Sequence, residues 1–360
     1  MLVHAGRRLQ YIMEERKNLV GMTLSQLREV ASEIGMPGFS AGQMAGWIYG
    51  RQVASIDLMS NISLKFRTAL SERYEIVHAA PVDCVESVDG TKKYLFPVNG
   101  GRTVEAVFIP DGDRATLCIS SQVGCKMGCV FCMTGRQKFA YSLTPGEILN
   151  QIISLPEKER LTNVVFMGMG EPLDNLRSVL SVVEVMTSSY GFGWSPHRIT
   201  ISTVGLRREL KQLVEGCDCH IAVSLHAPTP EKRIRLIPAE KAFSMTEMLE
   251  VLRHYDFSHQ RRLSFEYTMF QGVNDSIDDA RQLVRTLEGL SCRVNLIRFH
   301  AIPDSPLSPS SQDMMLAFRD WLTAHGVFAT IRASRGEDVW AACGMLNTAR
   351  KGMGETKDCE

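Results

Sequence analysis

The sequence has no excess of charge of either sign. Its 40 lysines and arginines balance 40 aspartates and glutamates, so the formal net charge of the 360 residues is zero. This balance excludes a chain that binds nucleic acid through overall positive charge. It does not exclude a local basic face, because net charge averages over the whole surface.

Long hydrophobic runs are also lacking. The N-terminal stretch MLVHAGRRLQYIMEERKNLV has no apolar core after its basic residues, so it does not have the pattern of a secretory signal peptide. No run approaches the roughly 18 apolar residues that a membrane-spanning helix needs. We therefore expect a cytoplasmic protein without a membrane span, in a compartment that keeps thiols reduced.

Cysteine, by contrast, is plentiful, with ten in the chain. In a reducing compartment this number favours metal binding or catalysis over a disulfide framework. Three of the cysteines, Cys125, Cys129 and Cys132, lie close together in the stretch SQVGCKMGCVFCMTGRQ. Disulfides, zinc and an iron–sulfur cluster are the competing explanations for this stretch.

The number of clustered cysteines distinguishes the explanations. A structural zinc site usually has four ligands, often as two cysteine pairs, and the other cysteines form no second C-x2-C pair. Cys217 and Cys219 come nearest, and we interpret them as ordinary buried thiols. Three thiolates suit a 4Fe–4S cluster that keeps one iron open to a substrate. Gly124 and Gly128 allow the backbone to wrap closely around such a group.

The chain divides into four predicted segments. Residues 1–75 read as a small helical module, which composition alone leaves open as a packing appendage or a substrate-docking domain. Residues 76–112 carry alternating patterns and two glycine turns that predict a short antiparallel β extension, with Glu105 on one strand. Residues 113–348 form the main domain, and residues 349–360 are expected to be a flexible tail.

The main domain alternates strand-like and helix-like runs. The predicted strands are ATLCISS, TNVVFMGMG, HRITISTVG, HIAVSLHAP, RLSFEYTMF, RVNLIRFH and FATIRAS. Near-continuous apolar strands followed by amphipathic helices predict an α/β fold with a parallel sheet, here a partial (β/α) barrel of about six βα units. The first helix begins with a capping box at Thr144 and Glu147. In barrels, functional groups collect at the C-terminal ends of the strands.

The C-x3-C-x2-C spacing after the first barrel strand resembles the signature of radical S-adenosylmethionine (SAM) enzymes. The resemblance implies a 4Fe–4S cluster held by Cys125, Cys129 and Cys132, with SAM bound at the open iron. One electron from the cluster would cleave SAM to a 5′-deoxyadenosyl radical. Two SAM molecules would be used per turnover, one as methyl donor and one as radical source.

Further motifs resemble the RlmN/Cfr group of RNA adenosine methyltransferases over nearly the whole chain. These are MPGFSAGQMAGWIYGR, FMGMGEPLDN, ISTVG, VSLHAP and RASRGEDVWAACGML. The resemblance favours RNA docking for the helical module. The residues that it implies as SAM contacts are Gly170, Glu171, Ser202, Ser224, Leu225, His226 and His300. His300 departs from the family pattern, which often has asparagine there.

The same resemblance gives roles to two isolated cysteines. Adenine C2 is electron-poor, so displacement on SAM does not methylate it directly, whereas a thiolate is a good nucleophile. Cys343 would take a methyl group from one SAM, and radical chemistry would join that carbon to adenine in a covalent protein–RNA adduct. Glu105 would remove the ring proton. Cys118 would then attack the Cys343 sulfur and release the product with a disulfide.

The resemblance is nearer to RlmN than to Cfr, because Pro172 stands where Cfr-type sequences commonly have alanine, although Gly135 departs from the usual RlmN alanine. RlmN-like enzymes methylate C2 of an adenosine in the peptidyl-transferase region of 23S rRNA, and many also modify the adenosine 3′ of the tRNA anticodon. We expect a monomer served by a low-potential electron donor such as flavodoxin.

Three alternatives remain open. They are Cfr-like C8 methylation, a radical SAM reaction on a small molecule, and a non-catalytic metal-binding module. Several arginines near predicted strand or loop ends could form a local phosphate-binding face or a solvated surface, with equal support for each. These are Arg198, Arg233, Arg235, Arg262, Arg293 and Arg332.

Overall fold

The computed structural model describes residues 16–257 and 262–346. The predicted tail at 349–360 and the first part of the helical module lie outside the described residues. Among the described residues, no helix is both long enough and apolar enough to cross a membrane.

The N-terminal module is helical, as predicted. Its elements are β1 (Lys17–Asn18), α1 (Leu24–Ile34), α2 (Ser40–Ala45), a π-helical turn (Gly46–Gly50), α3 (Leu64–Arg73) and β2 (Tyr74–Glu75). Helix α1 begins with a capping box formed by Thr23 and Gln26 and ends at Gly35 in the left-handed conformation. Strands β1 and β2 pair in parallel and bring the two ends of the module together.

The β extension consists of β3 (Asp83–Glu86), β4 (Lys92–Val98) and β5 (Arg102–Asp111), paired antiparallel as predicted. Strand β5 continues through a short turn into the first barrel strand and pairs antiparallel with it. The extension is therefore part of the main sheet, and no gap in the sheet corresponds to the predicted boundary at residue 112.

The barrel region follows without interruption. Its strands are β6 (Arg114–Cys118), β7 (Gln122–Val123), β8 (Tyr141–Ser142), β9 (Asn163–Phe166), β10 (Ile199–Thr203), β11 (His220–Ser224), β12 (Leu263–Met269), β13 (Arg293–Arg298) and β14 (Phe328–Arg332). Its helices are α4 (Met133–Arg136), α5 (Pro145–Ile153), α6 (Leu176–Thr187), α7 (Arg207–Gly216), α8 (Pro230–Leu236), α9 (Met245–Arg253), α10 (Ile277–Thr286) and α11 (Gln312–Ala324).

The described strands form a mixed sheet in the order β14-β13-β12-β11-β10-β9-β6-β5-β4-β3. Within this sheet, β6 and β9–β14 pair in parallel, and six helical crossovers connect them, which agrees with the prediction of about six βα units. Strands β7 and β8 pair antiparallel in a small separate sheet. Strands β14 and β3 lie at opposite edges of the sheet, so the barrel is open.

Burial explains why the central strands read as continuous apolar runs. Every residue of β12 is buried, because helices cover one face of the sheet and the barrel interior lies on the other. Helix α5 begins with the predicted capping box of Thr144 and Glu147. The parallel arrangement places the C-terminal ends of β6 and β9–β14 along one edge, where the candidate site lies.

Candidate active site

The cysteine triplet lies on the loop that follows β6. Cys125, Cys129 and Cys132 are all partly buried and have free thiols. Gly124 and Gly128 have positive φ values of 75° and 67°, which glycine adopts without strain. A side chain at Gly124 would collide with the backbone carbonyl of Lys138. The loop therefore depends on glycine for both its turn and its close packing.

The triplet opens onto a cavity of about 150 Å³, which we call the cysteine cavity. Most of the predicted site residues line it: Cys125, Cys129, Cys132, Gly170, Glu171, Ser202, Ser224, His226 and Cys343. Motif reasoning missed other lining residues, including Met127, Phe131, Thr203, Glu266, Thr268 and Phe299. Their positions within the cysteine loop or on the barrel strands and the loops that follow them were the available signal, but nothing in their residue types separated them from core positions.

Glu171 is buried at the end of the loop after β9. Its carboxylate accepts hydrogen bonds from the Thr203 hydroxyl at 2.6 Å, the Val204 N–H at 3.0 Å and the Leu173 N–H at 3.0 Å. Burial raises the pKa of Glu171 to about 7, and these hydrogen bonds oppose the rise. The side chain is thus fixed as an acceptor that faces the cysteine cavity.

Gly170 makes the turn that presents this glutamate. Its φ is 100°, and a Cβ at this position would lie 2.5 Å from Cβ of Gln122. The Gln122 side chain accepts a hydrogen bond from the Glu171 N–H at 2.9 Å. Only glycine satisfies both the conformation and the close approach.

His226 follows β11 in the left-handed region, with φ of 56°. Its Nδ1 accepts a hydrogen bond from the Thr268 N–H at 2.9 Å. Burial, together with the charge of Arg233, lowers the pKa of His226 to about 3, so the ring is neutral at physiological pH. With Nδ1 as acceptor, the proton of the neutral ring resides on Nε2, which makes Nε2 a hydrogen-bond donor.

Two of the expected SAM contacts lie elsewhere. Leu225 is fully buried and does not line the cysteine cavity; its N–H donates to the Glu266 carbonyl at 3.1 Å. His300 lines a neighbouring cavity of about 280 Å³, the His300 cavity, which also contacts Arg332 and Cys343. The Nδ1 of His300 is 3.2 Å from a Glu337 carboxylate oxygen.

Cys118 and Cys343 lie on different elements, and both interact electrostatically with the Arg332 guanidinium. Cys118 is the buried last residue of β6, and Cys343 is exposed at the border of both cavities. Burial, reinforced by the charge of Cys343, raises the pKa of Cys118 to about 12, while Arg332 opposes the rise. Arg332 also interacts electrostatically with Cys343 and Glu266, and both raise its pKa.

Glu105 is buried on β5, and it lines neither cavity. Its carboxylate oxygen is 3.4 Å from Nζ of Lys93 on the adjacent strand. Its backbone carbonyl accepts a hydrogen bond from the Ser120 hydroxyl at 2.6 Å. The structure therefore places Glu105 in the sheet beside the site, paired with a cation.

Two family models match the chain. Residues 119–284 match the radical SAM superfamily, and residues 17–76 match the ribosomal RNA large subunit methyltransferase N-terminal domain. The first match contains the cysteine triplet and the Glu171 turn, and the second coincides with the helical module.

Full-length relatives agree with the models. A protein of Bacteroides fragilis named "Probable dual-specificity RNA methyltransferase RlmN" is 59% identical over 92% of this chain and 97% of its own length. The chain belongs to the RlmN family of radical SAM RNA methyltransferases. A more distant relative from Syntrophotalea carbinolica, "Dual-specificity RNA methyltransferase RlmN", is 40% identical over 92% of this chain and 90% of its own length.

A solved structure shares the fold. The crystal structure of a radical SAM methyltransferase from Sphaerobacter thermophilus superposes with a TM-score of 0.85 and 36% identity, covering 92% of this chain and all of that one. The similarity extends over the helical module, the extension and the barrel, so the RlmN family membership applies to the chain as a whole.

Radical SAM enzymes of the RlmN family use a 4Fe–4S cluster and SAM, and the site suits both. The three thiols lie near enough to raise one another's pKa, after the larger effect of burial, as the charges of Cys125 and Cys132 do for Cys129. In the described part of the chain, no three His, Cys, Asp or Glu side chains converge on a single metal ion. The cysteines of a cluster need not converge, because each binds a different iron.

The arginine set does not form the single phosphate-binding face that was one of its two interpretations. Arg233 is fully buried and forms an ion pair with the buried Glu240. Arg198, Arg262 and Arg293 lie at the starts of strands, on the edge opposite the cysteine cavity, because each directly precedes or begins a strand. Among the six, Arg332 is the arginine that lines the cavity.

Proposed function

We propose that this member of the RlmN family methylates C2 of an adenosine in the peptidyl-transferase region of 23S rRNA, and also the adenosine 3′ of the tRNA anticodon. The observation that carries the proposal is that Cys343 and Arg332 line the same cavity as the three clustered cysteines, with Cys118 near enough to interact electrostatically with both. Relatives with names that specify dual RNA specificity support the two substrates.

Different residues of the site bind SAM and accept its methyl group. Cys125, Cys129 and Cys132 would hold the 4Fe–4S cluster, which would supply the electron for reductive cleavage of SAM. Glu171 and the strand-end serines Ser202 and Ser224 orient SAM in the cysteine cavity, and the Nε2–H of neutral His226 serves as a donor there. Cys343, exposed at the cavity border, accepts the methyl group and carries its carbon to adenine.

The buried Cys118 releases the RNA from its covalent bond to Cys343. The Cys118 thiolate attacks the Cys343 sulfur, and the bond between that sulfur and the bridging carbon breaks with its electron pair on carbon. The carbon takes up a proton to become the methyl group, and the Cys118–Cys343 disulfide that remains is reduced by an external thiol for the next turnover. Burial keeps Cys118 protonated in the free protein, since its pKa is about 12. The positive charge of Arg332 opposes that rise and favours the thiolate needed for attack.

Glu105 is the proposed base for the ring proton. Its burial supports the role, because a desolvated carboxylate is a better proton acceptor. Its ion pair with Lys93 faces the same loop that carries Cys343, since Lys93 also reaches the Trp340 carbonyl. To remove a proton from adenine, the Glu105 carboxylate must break its ion pair with Lys93 and contact the substrate instead.

The helical module is the proposed RNA-docking domain. It matches the N-terminal domain of a ribosomal RNA methyltransferase family. A target adenine inside folded RNA has to be flipped out of its stack to enter a closed pocket, so the enzyme needs a separate surface that holds the surrounding RNA.

The proposal extends to the cellular setting. We propose a cytoplasmic location, because its RNA substrates are there, and a monomeric enzyme. Reduction of the cluster is assigned to a low-potential donor such as flavodoxin.

Analysis of methylated nucleosides tests the proposal. Reduced, cluster-loaded protein is incubated with labelled SAM and either 23S rRNA or tRNA, and the RNA is digested for mass spectrometry. We expect 2-methyladenosine from both RNAs. Appearance of 8-methyladenosine instead selects the Cfr-like reaction, against which Pro172 argues, and unlabelled RNA overturns both.

A further inference from the structure

The loop after β14, residues 333–346, carries Cys343 and is tied to the turn between β3 and β4. The Ser87 hydroxyl donates a hydrogen bond to one carboxylate oxygen of Asp338 at 2.6 Å, across 251 positions of sequence. The Val88 N–H donates to the other oxygen at 3.1 Å. Burial works against ionisation of Asp338, but the Ser87 and Val88 hydrogen bonds outweigh it and hold the pKa of Asp338 below its ordinary value.

A second contact lies two residues earlier in the loop. The Gly336 N–H donates to a carboxylate oxygen of Asp89 at 3.0 Å, and the other Asp89 oxygen accepts from the Thr91 N–H at 2.9 Å. A Cβ at Gly336 would lie 2.9 Å from the Thr91 side chain. The loop backbone thus lies directly against the turn.

The third contact holds the loop in a strained conformation. Trp340 has φ of 55°, which is unfavourable for a bulky side chain. Its carbonyl accepts a hydrogen bond from Nζ of Lys93 on β4 at 3.4 Å. A strained backbone persists when its surroundings fix it. The extension supplies that restraint.

The other end of the loop is attached to the cysteine loop. The Gly344 carbonyl accepts from the Met133 N–H at 2.7 Å, and the Leu346 carbonyl accepts from the Thr134 hydroxyl at 2.9 Å. Cys343 therefore lies between two anchors, one on the β extension and one beside Cys132.

We infer that the β3–β4 turn, acting through Asp338, positions Cys343 for its part in methyl transfer. The inference rests on the proposed function, because that function gives Cys343 its task. Asp338 lines neither cavity, so it acts through the loop and is a positioning residue. The antiparallel extension then contributes to the reaction in two ways: it carries Glu105, and it holds the loop that carries Cys343.

Variants of Asp338 in the full-length, cluster-loaded protein test the inference. Asp338→Ala removes both acceptors, Asp338→Asn keeps one carbonyl oxygen, and Asp113→Asn is a control on the exposed turn after β5. Hydrogen exchange is measured for the peptide covering residues 334–346. We expect exchange to accelerate about tenfold or more for alanine, in keeping with the loss of hydrogen bonds to a charged acceptor, less for asparagine and not for the control.

The second readout is the rate at which labelled methyl from SAM appears on Cys343, measured by peptide mass spectrometry without RNA. We expect a fall of about tenfold or more for Asp338→Ala, with SAM affinity unchanged, because the acceptor sulfur is displaced while the cavity is intact. Ser87→Ala should have a smaller effect alone and little further effect combined with Asp338→Ala, since the two groups form one contact.

The outcomes separate this inference from the proposed function. Unchanged exchange in Asp338→Ala, or faster exchange with normal methylation of Cys343, overturns the positioning role. Absence of Cys343 methylation in the wild-type protein counts against the proposed function, while hydrogen exchange still tests the anchor. If Asp338→Ala does not fold, Ser87→Ala, which keeps the Val88 bond, supplies the same two readouts.

Discussion

At the scale of single residues, hydrogen bonds within the protein fix the Glu171 carboxylate in place and leave it able to accept one more hydrogen bond. A carboxylate offers about four lone-pair positions, and hydrogen bonds from Thr203, Val204 and Leu173 use three of them. The remaining position suits the ammonium group at the methionine end of SAM. A charge-assisted bond of this kind is stronger than a neutral one.

Glu171→Gln should therefore weaken SAM binding by about tenfold to a hundredfold, the loss expected when a charged hydrogen bond is removed. Because burial raises the pKa of Glu171 to about 7, the wild-type carboxylate becomes ionised as pH rises through 7. Wild-type affinity for SAM should then increase between about pH 6 and pH 8. Equilibrium dialysis with labelled SAM measures both effects.

The matched control is Glu247→Gln, which alters an exposed ion pair with Arg207; neither residue lines the cysteine cavity. Its SAM affinity should equal that of the wild type at every pH. If Glu171→Gln kept the wild-type pH dependence, the ammonium role of Glu171 would be wrong.

Residue roles were only partly predictable from the sequence. The cysteine triplet, Glu171 and His226 could be named from the sequence because each belongs to a motif that follows a strand, and all of them line one cavity. Arg332 was named only among six candidate phosphate-binding arginines, since nothing local distinguishes an arginine that faces two thiols from one that faces solvent. The pairing of Lys93 with Glu105 was missed, because it depends on the register of β4 and β5.

At the scale of elements, turns at strand ends decide whether the site forms. The turn after β9 combines positive φ at Gly170 with close contact to Gln122. Gly193 also has a positive φ, 64°, which lies in the left-handed region, and a Cβ there would meet nothing within 4 Å. Alanine at Gly193 therefore meets only mild backbone strain, whereas alanine at Gly170 meets greater strain and crowding together.

Gly170→Ala should lower the free energy of unfolding by about 2–5 kcal/mol, because strain and overpacking add. It should also abolish SAM binding, since the Glu171 carboxylate is displaced. Gly193→Ala should cost about 1 kcal/mol through strain alone and leave SAM binding normal. Urea unfolding and dialysis measure these changes, and equal costs for the two variants would contradict the crowding argument.

Elements were the most predictable level of the structure. All seven predicted barrel strands exist, and the capping box at Thr144 begins a helix as expected, because periodicity and caps are local signals. The joining of the extension to the barrel through β5 and β6 was not predicted. Contacts such as that of Ser87 with Asp338 were also not predicted, because they link residues at opposite ends of the sequence.

At the scale of the whole molecule, three parts of the chain contribute to the proposed function. The barrel contributes the cysteine loop and Glu171, the extension contributes Glu105 and the anchor of the Cys343 loop, and the helical module provides the proposed RNA-docking surface. The family was predictable because the sequence carries motifs that resemble those of the family, and most of these motifs follow predicted strands. The relative placement of Cys118 and Cys343 required the fold.

Trapping the covalent intermediate tests the two-cysteine mechanism most directly. Cys118→Ala and Cys343→Ala proteins, loaded with cluster, are incubated with SAM, reductant and RNA, and the digested protein is analysed by mass spectrometry. The account predicts an adenosine adduct on Cys343 that persists in Cys118→Ala, and no adduct in Cys343→Ala. Normal turnover by Cys118→Ala, or an adduct on a residue other than Cys343, would contradict it.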